Sequence, residues 1–347
     1  MSFVNTDQRT VFPILKEIVL HPIFDEEEFE KRKTRLLVEL ERAKERPSSV
    51  IRSYYDAFIF QEHPYGNPVS GTIGSVSGIS AHDLRDFYHS NYFPGGSAVA
   101  IVGDFDTVRM KGSVIELLQE WEARGTPTPI AARPVPPCSE SRLLFVNKDD
   151  ATESRFIIGG LGIKRSNPDY VPVQVVNTVL GGRFTSWLND ELRVNRGLTY
   201  GARSYFDELK DSGTFGMYSY TGTETTIEAI DVTLDILDRL HKEGLDEKTL
   251  TSAKNYIKGQ YPPKYETSGS LASLLTSMFT YDFDESFIDD FQNNVDEMTV
   301  EKARQIIDDY FPKENLQFVL IGKASEIRDA VKKYGEMTEK EIKADGF

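Results

Sequence analysis

The sequence is short of cysteine, of basic charge and of long apolar runs, and each shortage excludes a class of answer. A single cysteine, Cys138, among 347 residues leaves no internal disulfide framework. Lysine and arginine total 40 against 55 aspartates and glutamates, a net charge of −15. That is the wrong sign for a nucleic-acid or anionic-membrane surface. It suits cationic peptides as ligands, or simply a well-solvated acidic surface. No window holds about eighteen consecutive apolar residues, so no membrane span is expected. The opening MSFVNTDQRT lacks a basic segment followed by an apolar one, and no signal peptide is read there.

Familiar catalytic signatures are also missing. The five histidines, His21, His63, His82, His89 and His241, include no i, i+4 pair with an intervening glutamate, the arrangement that puts two imidazoles on one helical face for zinc. His82 and His89 share a helix but have no carboxylate or thiolate at ligand spacing, and His63 in EHPYG is expected to fix a turn. LGGRF at 180–184 lacks the lysine and spacing of a phosphate-binding loop, and there is no G-x-S-x-G nucleophile elbow.

What is present is an alternation of helical and extended patterns. Helices are expected at 10–20, 25–46 and through PSSVIRSYYDAFIFQ. ISAHDLRDFYHSNYF reads as another, with Ser80 as its N-cap, and DTVRMKGSVIELLQEWEA as a further one. SAVAIVG between them reads as a short buried strand. Later strands fall near 142–147, 154–162, 198–206 and 213–220, with helices near 168–179, 184–195 and 224–243. The remainder reads as helical except LQFVLIG at 316–322. GTPTPIAARPVPP, with five prolines in thirteen residues, marks an extended linker over 125–138 between a domain at 1–124 and one at 139–347.

The chain also repeats itself. FDEEEFEKRKTRLLVELERAKERPSS matches LDEKTLTSAKNYIKGQYPPKYETSGS, ISAHDLRDFYHSNYFP matches MTVEKARQIIDDYFP, and VAIVGDF matches FVLIGKA, in order and at an offset of about 220 residues. Three pairs in register indicate a duplicated α/β domain. About a hundred residues precede the motif in the second copy and only 23 in the first. The first copy is therefore expected to lack its opening strands and helix, leaving apolar positions such as Phe12, Leu15, Ile18 and Val19 partly uncovered.

Taken together, FDEEEFEKRKTRLLVELERAKERP, EHPYGNPVSGTI, AHDLRDFYHSNYFP, VAIVGDFD, VLGGRFTSWLNDELRVNRGLTYGARSYF and SGTFGMYSYT resemble the pitrilysin/insulinase family of inverted-motif zinc metallopeptidases, which includes mitochondrial processing peptidases. The similarity extends over residues 10–335. It implies an α+β fold: duplicated domains with mostly antiparallel sheets packed by helices, forming half of a clamshell, the first copy truncated.

The resemblance further implies that Glu39, aligned through RLLVEL, occupies the position of a zinc-ligand glutamate. The H-x-x-E-H motif supplying the other ligands and the general base is absent from this sequence, and Arg32 stands where many active members have a second glutamate. A solvated helix carboxylate is the competing reading of Glu39. Arg193 and Tyr200 match a family pair that holds the substrate backbone and steadies the oxyanion at the scissile carbonyl. Their competing reading is a helix-surface cation and a strand core residue. Gly181 and Gly182 are expected to shape a tight helix start rather than contact a ligand.

The implied function is that of a part or subunit of a zinc-dependent metalloendopeptidase acting on peptides or unfolded segments. Zinc would be bound by the complete enzyme or by a partner, a second family subunit or another copy, and this chain alone would be inactive. The alternatives are a non-catalytic assembly subunit of the same fold, or an ordinary active protease whose true start lies upstream. Both a periplasmic and a cytoplasmic location are compatible with these features.

Overall fold

A computed structural model describes residues 1–121 and 134–347. The chain divides into two compact units. One comprises Met1–Val38, Ser75–Ala131 and Tyr261–Asp284, and the other Glu39–Gly74, Ala132–Gln260 and Glu285–Phe347. Most of the linker expected over 125–138 lies outside the described residues.

The larger unit is built on one six-stranded sheet. Its strands are β1 (Arg142–Asn147), β2 (Glu153–Leu161), β3 (Ala202–Glu208), β4 (Gly213–Gly222), β5 (Gln317–Gly322) and β6 (Glu336–Glu341), in the order β3-β4-β2-β5-β1-β6. The β3–β4, β4–β2 and β2–β5 pairs are antiparallel, whereas β1 runs parallel to both β5 and β6. The fold is thus α+β with a mostly antiparallel sheet packed by helices, as the sequence implied.

Strand alternation divides the core into two layers. Leu143 and Phe145 of β1, Phe156 and Ile158 of β2, and Phe318 and Leu320 of β5 face one way, into a cluster completed by helical residues such as Ile230, Leu237 and Ile306. Leu144, Val146, Ile157, Val319 and Ile321 face the other way. There they meet Val50, Ile51, Tyr54, Tyr55 and Ile59 of the helix Pro47–Phe60. With Gln8–Leu20 as α1 and Glu26–Lys44 as α2, this helix is α3. Pro47 stands at the start of α3, where its missing N–H costs nothing. The Tyr55 hydroxyl donates to the Phe215 carbonyl at 2.5 Å, fixing α3 against the sheet.

The smaller unit is helical among its described residues. Tyr88 donates to the Val19 carbonyl at 2.6 Å and Arg85 to the Phe24 carbonyl at 2.8 Å. Ser80 caps Ala81–Asn91 as expected: its hydroxyl accepts from Asp83 N, and Asp83 accepts in turn from Ser80 N. No residue of α1 is buried, and Ile14 and Ile18 are 50% and 58% exposed. SAVAIVG, expected as a strand, forms none. A strand is held by its neighbours, and the smaller unit has no strand among its described residues for this segment to pair with. In the larger unit the matching LQFVLIG is β5, flanked by β1 and β2.

Two further expectations need correction. Glu336–Glu341, expected to be helical, is the edge strand β6. The expected helices at 168–179 and 184–195 pass into π-helical turns at Thr178–Gly182 and Asp190–Asn195.

Candidate functional site

Arg193 and Tyr200 are positioned by a short, heavily bonded junction between the Asp190–Asn195 turn and β3. The turn closes with Arg196 N donating to Glu191 O at 3.1 Å. The Arg196 and Asn195 side chains bond the Glu191 carboxylate and hold it below the usual carboxylate range. Gly197 then takes φ +65°, a conformation glycine adopts without a Cβ penalty. Leu198 N returns to Leu192 O at 2.8 Å, and Leu198 O accepts from the Thr221 hydroxyl at 2.7 Å. Gly201 N donates to the Thr199 hydroxyl oxygen at 3.1 Å, Gly201 O accepts from Ser219 at 3.2 Å, and Ala202 N donates to Asn189 Oδ1 at 2.9 Å.

Tyr200 takes part in none of these bonds. Tyr200 is 83% exposed and precedes the strand, which begins at Ala202 rather than near 198. The competing reading of Tyr200 as a strand core residue is therefore overturned. Arg193, in the last turn of the π-helical segment, lays its guanidinium over the Phe184 ring at 4.7 Å. The two residues line one cleft of about 330 Å³, together with Glu153, Leu198, Thr199 and Tyr220. A guanidinium and a phenol there offer only donors and a proton-bearing hydroxyl to a bound carbonyl.

Gly181 contacts the scaffold rather than a ligand, since a Cβ on it would lie 2.1 Å from Ser204 N on β3. The same helix end bonds the strand through Asn177, which donates to Ser204 O at 3.2 Å and accepts from the Ser204 hydroxyl at 2.6 Å.

Glu39 is exposed on α2. Among the described residues no group of three His, Cys, Asp or Glu side chains is placed to hold a metal ion. Zinc needs three or four such ligands converging within bonding distance, so the described residues do not by themselves fit it. Two histidines have structural roles. His63 is buried and its Nδ1 accepts from Tyr65 N at 3.1 Å, capping a turn as expected. His241 is buried with Nε2 2.8 Å from the Phe311 carbonyl.

Sequence reasoning missed a charged cluster between α3 and β3. Arg52 bonds Asp56, Asp207 and Thr214 and lies 4.7 Å over the Tyr205 ring. Burial pushes the Asp56 carboxyl up to about 6, against the pull of Arg52. Nearby, burial raises Glu208 to about 7, although Gln174 donates to it. Arg52 and Asp207 are 155 positions apart in the chain, so no local spacing announced the pair.

Comparison with known proteins agrees with this architecture. Residues 78–257 match the family described as Peptidase M16 inactive domain. A Bacillus subtilis protein named as an uncharacterized zinc protease, YmxG, is 24% identical over 264 residues, covering 75% of this chain and 62% of its own length. A Helicobacter pylori protein named non-peptidase homolog YmxG is 23% identical over 328 residues, covering 92% of this chain and 74% of itself. The crystal structure of a peptidase M16 inactive domain from Pseudomonas fluorescens superposes with a TM-score of 0.85 at 24% identity, over 93% of this chain and 76% of that one. The chain thus spans less than two thirds of the Bacillus protein. Its motifs, its six-stranded sheet and this match, which takes in the Arg193–Tyr200 junction, place the chain in the Peptidase M16 inactive-domain family.

Proposed function

We propose that this chain is the substrate-gripping part of a metalloendopeptidase that acts on peptides or unfolded segments, the metal being carried elsewhere. The observation that carries the reading is the shared cleft of Arg193 and Tyr200 at the head of β3, in a chain whose described residues hold no metal-binding cluster. The guanidinium and phenol would donate to one peptide carbonyl oxygen and gain strength as negative charge grows on it. Preorganised donors of this kind are each worth about 2.7–4 kcal/mol in a water-excluded site. The repeat fits the same reading, with 1–124 and 139–347 as two copies of one domain and the second copy bearing the pair. The zinc would be bound by a partner subunit of the family or by the complete enzyme.

The test combines this chain with a metal-bearing family member from the same cell and follows cleavage of an unfolded polypeptide. Arg193→Ala and Tyr200→Phe are each expected to lower kcat/KM about 100-fold, with assembly unchanged by sedimentation. Turnover unaffected by either substitution would instead identify a non-catalytic assembly subunit.

A further inference from the structure

α3 covers only part of the sheet face that receives it. Where its first turns meet β3 and β4 a cavity of about 620 Å³ remains, walled by Ser48, Arg52, Arg203, Tyr205, Tyr218 and Tyr220. It shares Tyr220 with the Arg193–Tyr200 cleft and adjoins it at Gly201. A peptide held in that cleft therefore has a second recess beside it.

The recess is lined by aromatic rings, two guanidiniums, Arg52 and Arg203, and one carboxylate, Asp207, which Arg52 bonds. Register and alternation place Arg155 of β2, Arg203 and Tyr205 of β3, and Tyr218 and Tyr220 of β4 on this one face. Two of the three guanidiniums are committed: Arg52 to Asp56 and Asp207, and Arg155 to Glu153 at 3.2 Å. Arg203 is not. It lies 5.1 Å from the Tyr218 ring centroid and 5.9 Å from that of Tyr205, with no carboxylate partner among the described residues. The Tyr218 hydroxyl accepts from Arg155 Nη1 at 2.6 Å, which leaves its own proton to donate. α3 contributes the positive end of its dipole, since Ser48 in its first turn is part of the wall.

We infer that this cavity is a side-chain subsite for an acidic residue of the bound peptide, its carboxylate taken by Arg203 and Tyr218 and its methylenes lying on Tyr220. This rests on the reading of the chain as a peptide-gripping part, because that reading makes the ligand a peptide. It runs against the chain's net charge of −15, so the selection is local: Arg203 has no carboxylate partner among the described residues, whereas Asp56 and Asp207 both bond Arg52. Planar, charge-assisted recognition suits a carboxylate better than it suits any neutral side chain.

The test measures binding of fluorescein-labelled unfolded peptides that differ at one position, Glu, Gln or Lys, to the full chain. The Glu peptide is expected to bind about tenfold tighter than the Gln peptide, the discrimination of one charge-assisted bond. Arg203→Gln should abolish that preference. Arg203→Glu should transfer the preference to the Lys peptide. Arg193→Ala should weaken all three peptides alike and keep their order. Peptides that bind in an Arg193-dependent way without discriminating Glu from Gln overturn the subsite and leave the gripping role intact. N-acetylglutamate amide supplies the second readout, the Arg203 Nε–H resonance. A shift there without peptide binding supports the carboxylate site and defeats the gripping role; neither shift nor peptide binding overturns both.

Discussion

Thr221 donates its hydroxyl to the Leu198 carbonyl at 2.7 Å, fastening the segment that presents Tyr200 to the strand beside it. Thr221→Val keeps the shape and removes the donor, leaving a part-buried carbonyl unpaired. The expected cost is about 1–3 kcal/mol of stability, read from a denaturant midpoint. Faster amide exchange confined to the segment around Tyr200 should accompany it. A variant as stable as the parent would show that Leu198 finds another donor.

Gly181 and Gly112 should respond to alanine in opposite directions. At Gly181 a Cβ would press on the β3 backbone, 2.1 Å from Ser204 N, and neither segment can retreat without breaking the bonds of Asn177. Gly181→Ala is expected to destabilise by about 1–3 kcal/mol. Gly112, inside the helix Thr107–Leu118, has nothing within 4 Å of its Cβ position. Gly112→Ala should stabilise by about 0.5–1 kcal/mol. Urea unfolding of the two variants beside the parent checks both signs.

Buried Glu208 makes stability depend on pH. Burial raises Glu208 from 4.5 to about 7, so between those values the folded chain holds a proton that the unfolded chain has released. Stability must therefore fall as pH rises through that window. Glu208→Gln removes the dependence and can still accept from Gln174. It should match the parent near pH 4.5 and exceed it at pH 8 by on the order of 1–3 kcal/mol. Unfolding curves at the two pH values decide it, and a parent more stable at pH 8 than the variant would contradict the account.

How far these features could be read from the sequence depended on whether their causes were local. The Ser80 cap, the helices α1 to α3 and the strands β1, β2, β4 and β5 rest on near-neighbour patterns, and all of them form. β6 reads EMTEKE, too charged to suggest a strand, yet such residues suit an edge that must not recruit another chain. SAVAIVG has the opposite history: its composition is right for a strand, but among the described residues of its unit no neighbouring strand is there to pair with it. The π-helical turns share the apolar spacing of ordinary helices and gave no separate signal. Arg193 and Tyr200 were singled out through the family resemblance of the segment that carries them, a stretch of contiguous sequence. Arg203, Tyr218 and Arg155 converge only through strand register, which no short motif encodes.

The central claim is that this chain grips substrate and does not itself carry the metal. The most direct measurement is the zinc content and peptide turnover of the purified chain, taken alone after exposure to zinc and removal of excess. The account predicts less than stoichiometric zinc and no chelator-sensitive cleavage of an unfolded peptide. One tightly bound zinc per chain, with turnover that a chelator stops and Glu39→Gln abolishes, would contradict it.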